Sequence, residues 1–381
     1  MLKNLRLRQR AALWLSVTRA NFPMAMNISA QPLVSVITPA YNEQEHLAEC
    51  IESILAQTYQ NWDYTIVNNR STDRTLEIAH QYASRDPRIR VHDNEQFLPM
   101  LANHNVAIRQ ISPASKYCKM VLADDYIFPQ CLEKMVEVAE AHPSIGLVSA
   151  YEKCGEQIRM KGLPEDQVLV SGNEASRQFL MDKLLLFGSQ NSVMYRADLV
   201  RKRNPFYVET EMYADFETCF WLLKSSDLGF VHGIMTFSRQ RSGSVGAVSA
   251  DLGAQHGSSL KMLLEYGREC LSPREFDQSL HRELNRYYDF LGRRAIVERD
   301  DAFWDYHKRT LANLEIDFSR WRLTKAAALQ LLGSLFNPKS TMESIRRLFS
   351  LRRIRNAQTR RVVSSFETKS VDTHDRPIAR S

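Results

Sequence analysis

Apolar and polar positions follow two alternating periods along most of the chain. Val34-Ser35-Val36-Ile37-Thr38 is rich in β-branched residues, which predicts a strand, and Pro39 stops it. Asn42, with Glu45 three residues on, has the form of a capping box. Leu47, Cys50, Ile51, Ile54 and Leu55 then recur at the spacing of one helical face. The cycle repeats with a strand at Tyr64-Thr65-Ile66-Val67, a polar turn from Asn68 to Asp73, and a helix lined by Leu76, Ala79 and Tyr82. Ile89-Arg90-Val91 predicts a short strand. Met120-Val121-Leu122 predicts a buried one that runs directly into Asp124-Asp125. Pro129 opens another helix, with Leu132, Met135, Val136 and Ala139 inward, and Ile145 to Ser149 form a further strand. Strands alternating with helices predict an α/β fold, a mostly parallel sheet flanked by helices. From about residue 255 strand signals vanish, and Leu260, Met262, Leu263, Leu264 and Tyr266 predict an α-helical C-terminal appendage.

The chain has 381 residues. A single core stops growing at roughly 250–300 residues, so one large domain plus an appendage is expected. The expected division is a basic arm over 1–30, an α/β domain over 31–250, a helical region over 251–362 with a basic end, and a disordered tail over 363–381. The arm carries Lys3, Arg6, Arg8, Arg10 and Arg19 and no acid. Between Pro338 and Val362 there are eight basic residues against one acid, Glu343.

Net charge is +6, which favours anionic partners such as nucleotides or an acidic membrane face, and no nucleic-acid partner is expected. The six cysteines form no CxxC pair and have no histidine at zinc-finger spacing, which reads as reduced thiols. The histidines share no metal spacing. The longest apolar runs, Ala11–Val17 and Ala326–Phe336, fall short of the roughly 20 residues that cross a bilayer. The N-terminus lacks a small-residue cleavage site, so the protein reads as cytoplasmic.

Ligands of open α/β sheets bind beyond the carboxyl ends of the strands. Three segments follow the strands here: Thr38-Pro39-Ala40-Tyr41-Asn42-Glu43, Asn68-Asn69-Arg70-Ser71-Thr72-Asp73, and Ala123-Asp124-Asp125-Tyr126. Two adjacent carboxylates raise one another's pKa unless a cation neutralises them. Hard oxygen ligands suit Mg²⁺ or Mn²⁺, typically shared with substrate phosphates. The competing reading of the pair alone is a turn in which one aspartate caps the following helix.

These segments, in this order, resemble the family 2 glycosyltransferases, which have a GT-A fold and invert the anomeric configuration. The resemblance covers roughly residues 32–245. It implies that Pro39, Tyr41 and Glu43 form the first nucleotide-binding loop. Asn69 stands where the family commonly has an aspartate that binds the base. The usual Asp-Asp-Gly is Asn68-Asn69-Arg70 here, a departure that bears on base identity because an amide both donates and accepts. By the same resemblance Asp73 closes the second loop, Asn105 matches an asparagine on the helix before the Asp-Asp strand, Asp124 contacts ribose and donor sugar, and Asp125 is the metal ligand.

An inverting transfer needs a carboxylate to take the acceptor hydroxyl's proton. The family places it at the start of a helix, where Asp215 stands; Glu217 and Glu211 are fallback candidates. Farther on, Arg239 matches a recurring arginine of the diphosphate loop. Arg241 replaces a histidine that in some members helps hold the metal, and it can pair with phosphate oxygens instead. Gly188-Ser189-Gln190-Asn191-Ser192 is expected to line the acceptor side.

The implied function is transfer of a sugar from a nucleotide-diphosphate sugar to a hydroxyl of a glycan or lipid-linked acceptor, with Mg²⁺ or Mn²⁺, in cell-surface polysaccharide synthesis. The basic termini suggest a peripheral position on an anionic inner membrane face. The alternatives are a catalytically inactive sugar-nucleotide-binding or scaffolding protein, and a nucleotidyltransferase. The second is disfavoured because Pro39-Ala40-Tyr41-Asn42 carries no glycine.

Overall fold

The computed structural model describes residues 31–241, 245–296, 298 and 300–336. The basic arm, the 339–361 stretch, the tail and Ser242-Gly243-Ser244 lie outside the described residues.

The strands and helices that the hydrophobic pattern predicts over residues 34–149 occur in that order, with further elements between and after them. Strand β1 (Val34–Ala40) leads to helix α1 (Leu47–Leu55), β2 (Trp62–Asn68), α2 (Thr75–Ala83), β3 (Ile89–Asp93), α3 (Met100–Arg109) and β4 (Tyr117–Met120). Next come β5 (Tyr126–Ile127), α4 (Cys131–Ala141), β6 (Ile145–Cys154), β7 (Gln157–Arg159), β8 (Leu169–Val170) and α5 (Gly172–Leu180). β9 (Val193–Arg196), α6 (Ala197–Lys202), α7 (Ala214–Leu223) and β10 (Asp227–Ser238) complete the α/β part. Helices α8 (Val245–Leu252), α9 (Ala254–Cys270), α10 (Pro273–Ala295), α11 (Asp301–Asn313) and α12 (Arg320–Phe336) follow.

The sheet runs β3-β2-β1-β4-β9-β6-β10-β5, with β7 beside β6 and β8 beside β10. The longest pairings, β1 with β2 and β6 with β10, are parallel, as are β1 with β4 and β2 with β3. β9 lies antiparallel between β4 and β6 and joins the two parallel halves. Side chains alternate across the sheet. Ile37, Cys118, Leu147 and Tyr195 enter one buried cluster, and their neighbours Val36, Tyr117, Val148 and Met194 the other.

Three local expectations need correction. Asn42 caps no helix: α1 begins at Leu47 behind His46, and Asn42 takes a left-handed conformation with φ 53°. Its side chain is drawn instead to the neighbouring loop. The buried strand ends at Met120 rather than Leu122. Val121 N–H still donates to Ile37 O at 2.9 Å, after which Asp125 N–H closes a turn on Leu122 O at 2.9 Å. The aspartates therefore sit in that turn. Pro129 lies just outside α4, which begins at Cys131.

The C-terminal helices are not a loose addition. Met262, Leu263 and Tyr266 of α9 enter the same cluster as Phe187 and Phe220. Helix α10 begins with a full capping box, Ser272 and Glu275, and Pro273 in its first turn.

A candidate active site at the carboxyl edge of the sheet

The loops after β1 and β2 are zipped together by side chains that accept backbone N–H groups. Asn42 Oδ1 accepts from Thr72 N at 2.8 Å, Thr75 Oγ1 from Glu43 N at 2.7 Å, and Asp73 Oδ2 from Gln44 N at 3.1 Å. Burial opposes ionisation of Asp73, but these bonds and those from Thr75 hold its carboxyl below the usual range. Asp73 thus fastens the two loops.

Asn69 is turned inward and buried. Its Oδ1 accepts from Leu98 N at 2.9 Å and from Asn94 Nδ2 at 3.0 Å, and its Nδ2 donates to Leu98 O at 2.8 Å. Only an amide can close this ring with a backbone N–H and C=O, since a carboxylate has no donor. Asn105, also buried, pairs with both the N–H and C=O of Tyr207, each at 2.8 Å. It pins α3 to the segment that leads into α7.

Tyr41 is exposed, and its ring centroid lies 4.9 Å from that of exposed Phe97. Sequence reasoning missed Phe97. Its one signal is an aromatic residue standing in an otherwise polar loop.

The end of β10 delivers two arginines to the aspartate turn. Arg239 N–H donates to Asp125 Oδ1 at 2.8 Å, its Nε donates to Asp124 O at 2.6 Å, and its guanidinium reaches Glu49. Arg241 bridges two carboxylates, with Nη2 2.6 Å from both Asp124 Oδ2 and Glu43 Oε1. Glu43 first, and Asp124 with it, hold the Arg241 pKa up against burial. Asp124 thereby shares a cation with Glu43, whereas Asp125 is 4% exposed and no cation pairs with it among the described residues. Burial, then the charge of Asp124, push the Asp125 carboxyl well above its usual range. A buried carboxylate lacking a counter-charge suits a divalent cation that also takes substrate phosphates. No group of three metal-ligating side chains occurs among the described residues, so Asp125 would hold such an ion with the diphosphate and water.

Asp215 opens α7 on the other side of β9 and β6. The residue keeps a partly exposed surface, yet its carboxyl is surrounded by protein. It accepts from Phe216 N–H at 3.0 Å. Burial raises its pKa to about 7, and the charges of Glu152 and Glu211 add to this. The fallback carboxylates are committed elsewhere. Glu217 pairs with Arg203 at 2.8 Å and accepts from Tyr266 OH at 2.7 Å, and Glu211 pairs with Lys261 at 2.7 Å. Gly188, at the head of the expected acceptor loop, has φ +149°, and a Cβ there would lie 2.4 Å from Phe216 Cζ.

Glu152, which sequence reasoning did not single out, joins the two corners. It is fully buried on β6, and its Oε1 accepts from Ser189 Oγ and Ser238 Oγ, each at 2.8 Å. Ser189 belongs to the acceptor loop. Ser238 precedes Arg239 and also bonds Asp125. One carboxylate oxygen therefore ties the segment after β10 to the loop before β9.

Residues 35–203 match the profile of Glycosyl transferase family 2. The putative glycosyltransferase EpsE of Bacillus subtilis strain 168 is 33% identical over 152 residues, 38% of this chain and 54% of EpsE. The putative teichuronic acid biosynthesis glycosyltransferase TuaG of the same organism is 35% identical over 107 residues, 28% of this chain and 42% of TuaG. The chain thus spans about half the length, or less, of these relatives. Among solved structures, S. aureus TarS 1-349 in complex with UDP-GlcNAc has a TM-score of 0.55 at 19% identity, over 77% of this chain and 87% of that one, a likeness of fold.

Proposed function

We propose, from the family 2 glycosyltransferase domain that this chain carries, that it transfers a sugar from a nucleotide-diphosphate sugar to a hydroxyl of a glycan or lipid-linked acceptor, with inversion. The observation that carries the reading is the pair of carboxylates, Asp125 and Asp215, both with pKa raised by burial and both raised further by the charge of Glu152. In this reading Asp215 takes the proton of the acceptor hydroxyl as its oxygen attacks the anomeric carbon and the bond to the diphosphate breaks. A pKa of about 7 suits a general base at neutral pH. Arg239 and Arg241 receive the developing negative charge. Arg241 exchanges one anionic partner for another, since Asp124 and Glu43 already hold it in place. Mg²⁺ or Mn²⁺ held by Asp125 would neutralise the departing diphosphate.

Pro39, Tyr41 and Glu43 frame the nucleotide loop, with Phe97 as a second ring. Asn69, Asp73 and Asn105 shape the site from behind through the bonds described above. TuaG is named for teichuronic acid biosynthesis, and our reading of this chain is cell-surface polysaccharide synthesis, with the basic termini of the sequence favouring the cytoplasmic face of an anionic membrane. No helix among the described residues is long and apolar enough to cross a membrane.

A panel of nucleotide-sugar donors, read by release of nucleoside diphosphate with Mn²⁺ or Mg²⁺, tests the proposal. Turnover lost in Asp215→Asn supports it. A second reading, a sugar-nucleotide binder without turnover, is motivated by Asn68-Asn69-Arg70 and the inward turn of Asn69. Donor binding with no release from any donor favours that reading.

A further inference from the structure

Helix α12 is amphipathic in an unusual sense. One face is packed: Leu323 lies against the cluster of Tyr287, Leu291 and Phe303, and Ala326 is buried where a Cβ on Gly292 would approach its own Cβ to 2.7 Å. The opposite face is apolar as well, and it is exposed. Trp321 is 70% exposed, Leu329 54%, and Leu331 and Leu332 52% each. Trp321, Lys325, Ala328 and Leu332 stand at i, i+4, i+7 and i+11, so they share one side of the helix. Isolated exposed leucines are ordinary, but a contiguous stripe headed by tryptophan marks an interaction surface.

The charge on the helix selects the partner. Arg320–Phe336 contains Arg320, Arg322 and Lys325 and no acid. Lys325 Nζ lies 5.2 Å from the Trp321 ring centroid, so cation and aromatic ring sit together on the exposed side. The sequence that follows carries eight basic residues against one acid between Pro338 and Val362. That segment, folded back on the helix, would bring like charges together, and so would the same face of a second copy. An anionic bilayer surface satisfies both features, since the rings and leucines enter the interface while the cations meet lipid headgroups.

We propose that α12 is an interfacial docking helix, lying flat on anionic lipid with Trp321, Leu329 and Leu332 inserted, Arg320 at the headgroups, and the Lys325 stem lying along the inserted side with its ammonium reaching up to them. This rests on the reading of the chain as a transferase at a membrane face, but it requires no particular donor or acceptor.

The full chain is sedimented with vesicles of phosphatidylcholine alone and with vesicles containing roughly one-third phosphatidylglycerol. Binding is expected to the second kind, weakened by salt. The double substitution Trp321→Ser with Leu332→Ser removes only exposed side chains, so the fold should persist, and it should weaken vesicle binding at least about tenfold. Donor hydrolysis in solution should stay at the wild-type rate in that variant. Absence of binding to anionic vesicles overturns the proposal. Binding that survives the double substitution also overturns it, because docking then lies elsewhere. A concentration-dependent dimer lost in the same variant assigns the face to a second copy and likewise overturns it. Failure of the donor panel in every protein counts against the transferase reading and leaves the vesicle result to stand on its own.

Discussion

The proposed donor corner at Asp125 and the proposed base corner at Asp215 each hold a carboxylate with a raised pKa, but their surroundings differ. At the donor corner charge is dense: Arg241 is shared between Asp124 and Glu43, and Arg239 reaches Glu49. Asp125 alone is left without a cation among the described residues. At the base corner Asp215 stands apart, while Glu211 and Glu217 have cations of their own. A carboxylate waiting for an external cation suits metal and diphosphate. A carboxylate that takes up a proton near neutrality suits a base. Chemical role here follows from which charges already have a partner, because a carboxylate held by a cation is less available to a second one.

The contrast breaks first at Asp215. Asp215→Asn should lower transfer by about 10²- to 10⁴-fold while donor affinity, measured by calorimetry, is unchanged. Equal loss of donor affinity would place Asp215 in the donor corner instead. Next in size is Asp125→Ala, expected to cut turnover on the order of 10²-fold and to abolish its response to added Mn²⁺ or Mg²⁺. A variant that still responds to metal would remove Asp125 as the ligand.

The pH dependence sharpens the comparison. Asp215 must be ionised to act, and its pKa is raised to about 7, so kcat should fall as pH drops through that value. Glu152→Gln keeps an acceptor oxygen for Ser189 and Ser238 but removes a charge that raises the Asp215 pKa. The acid limb should therefore move to lower pH, by up to about one unit. An unmoved limb would mean that burial alone sets it.

The smallest effect is on stability. The folded-state pKa of Asp215, about 7, lies above the ordinary 3.8, so the folded state favours the protonated form. Below pH 3.8 the group is neutral in both states and costs nothing. As pH rises towards 7 the unfolded chain ionises freely while the folded one resists, and stability falls to a lower plateau. Asp215→Asn should remove that loss, which, discounted for the partial exposure of the residue, is about 1–2 kcal/mol at pH 8 and small near pH 4. Calorimetric melts at the two pH values check this.

Much of the fold was legible in advance. β-branched runs separated by helical stripes predicted the strand–helix alternation over residues 34–149, because local burial on both sheet faces demands apolar sequence. The turn after β4 and the helix opening at Ala214 were found by the same logic. The position of β9 between β4 and β6 was not legible, since strand order depends on partners far apart in sequence. Glu152 escaped notice because a glutamate near a strand end reads as a solvent-facing residue. Only the acceptor loop and the end of β10, folded over it, make it buried. The inward turn of Asn69 was equally hidden, since its partners Asn94 and Leu98 lie beyond another helix and strand.

The sequence by itself determined which loops follow the strands and that Asp124 and Asp125 stand in one of them, because strand and helix periods place such residues without knowledge of the rest; Asp215 came from the family resemblance. Only the tertiary structure decided which carboxylates remain unpaired. Arg241 meets Asp124 across 117 positions of chain, and Glu152 meets Ser238 across 86. Charge compensation is a property of distance in space, and local pattern carries no information about it.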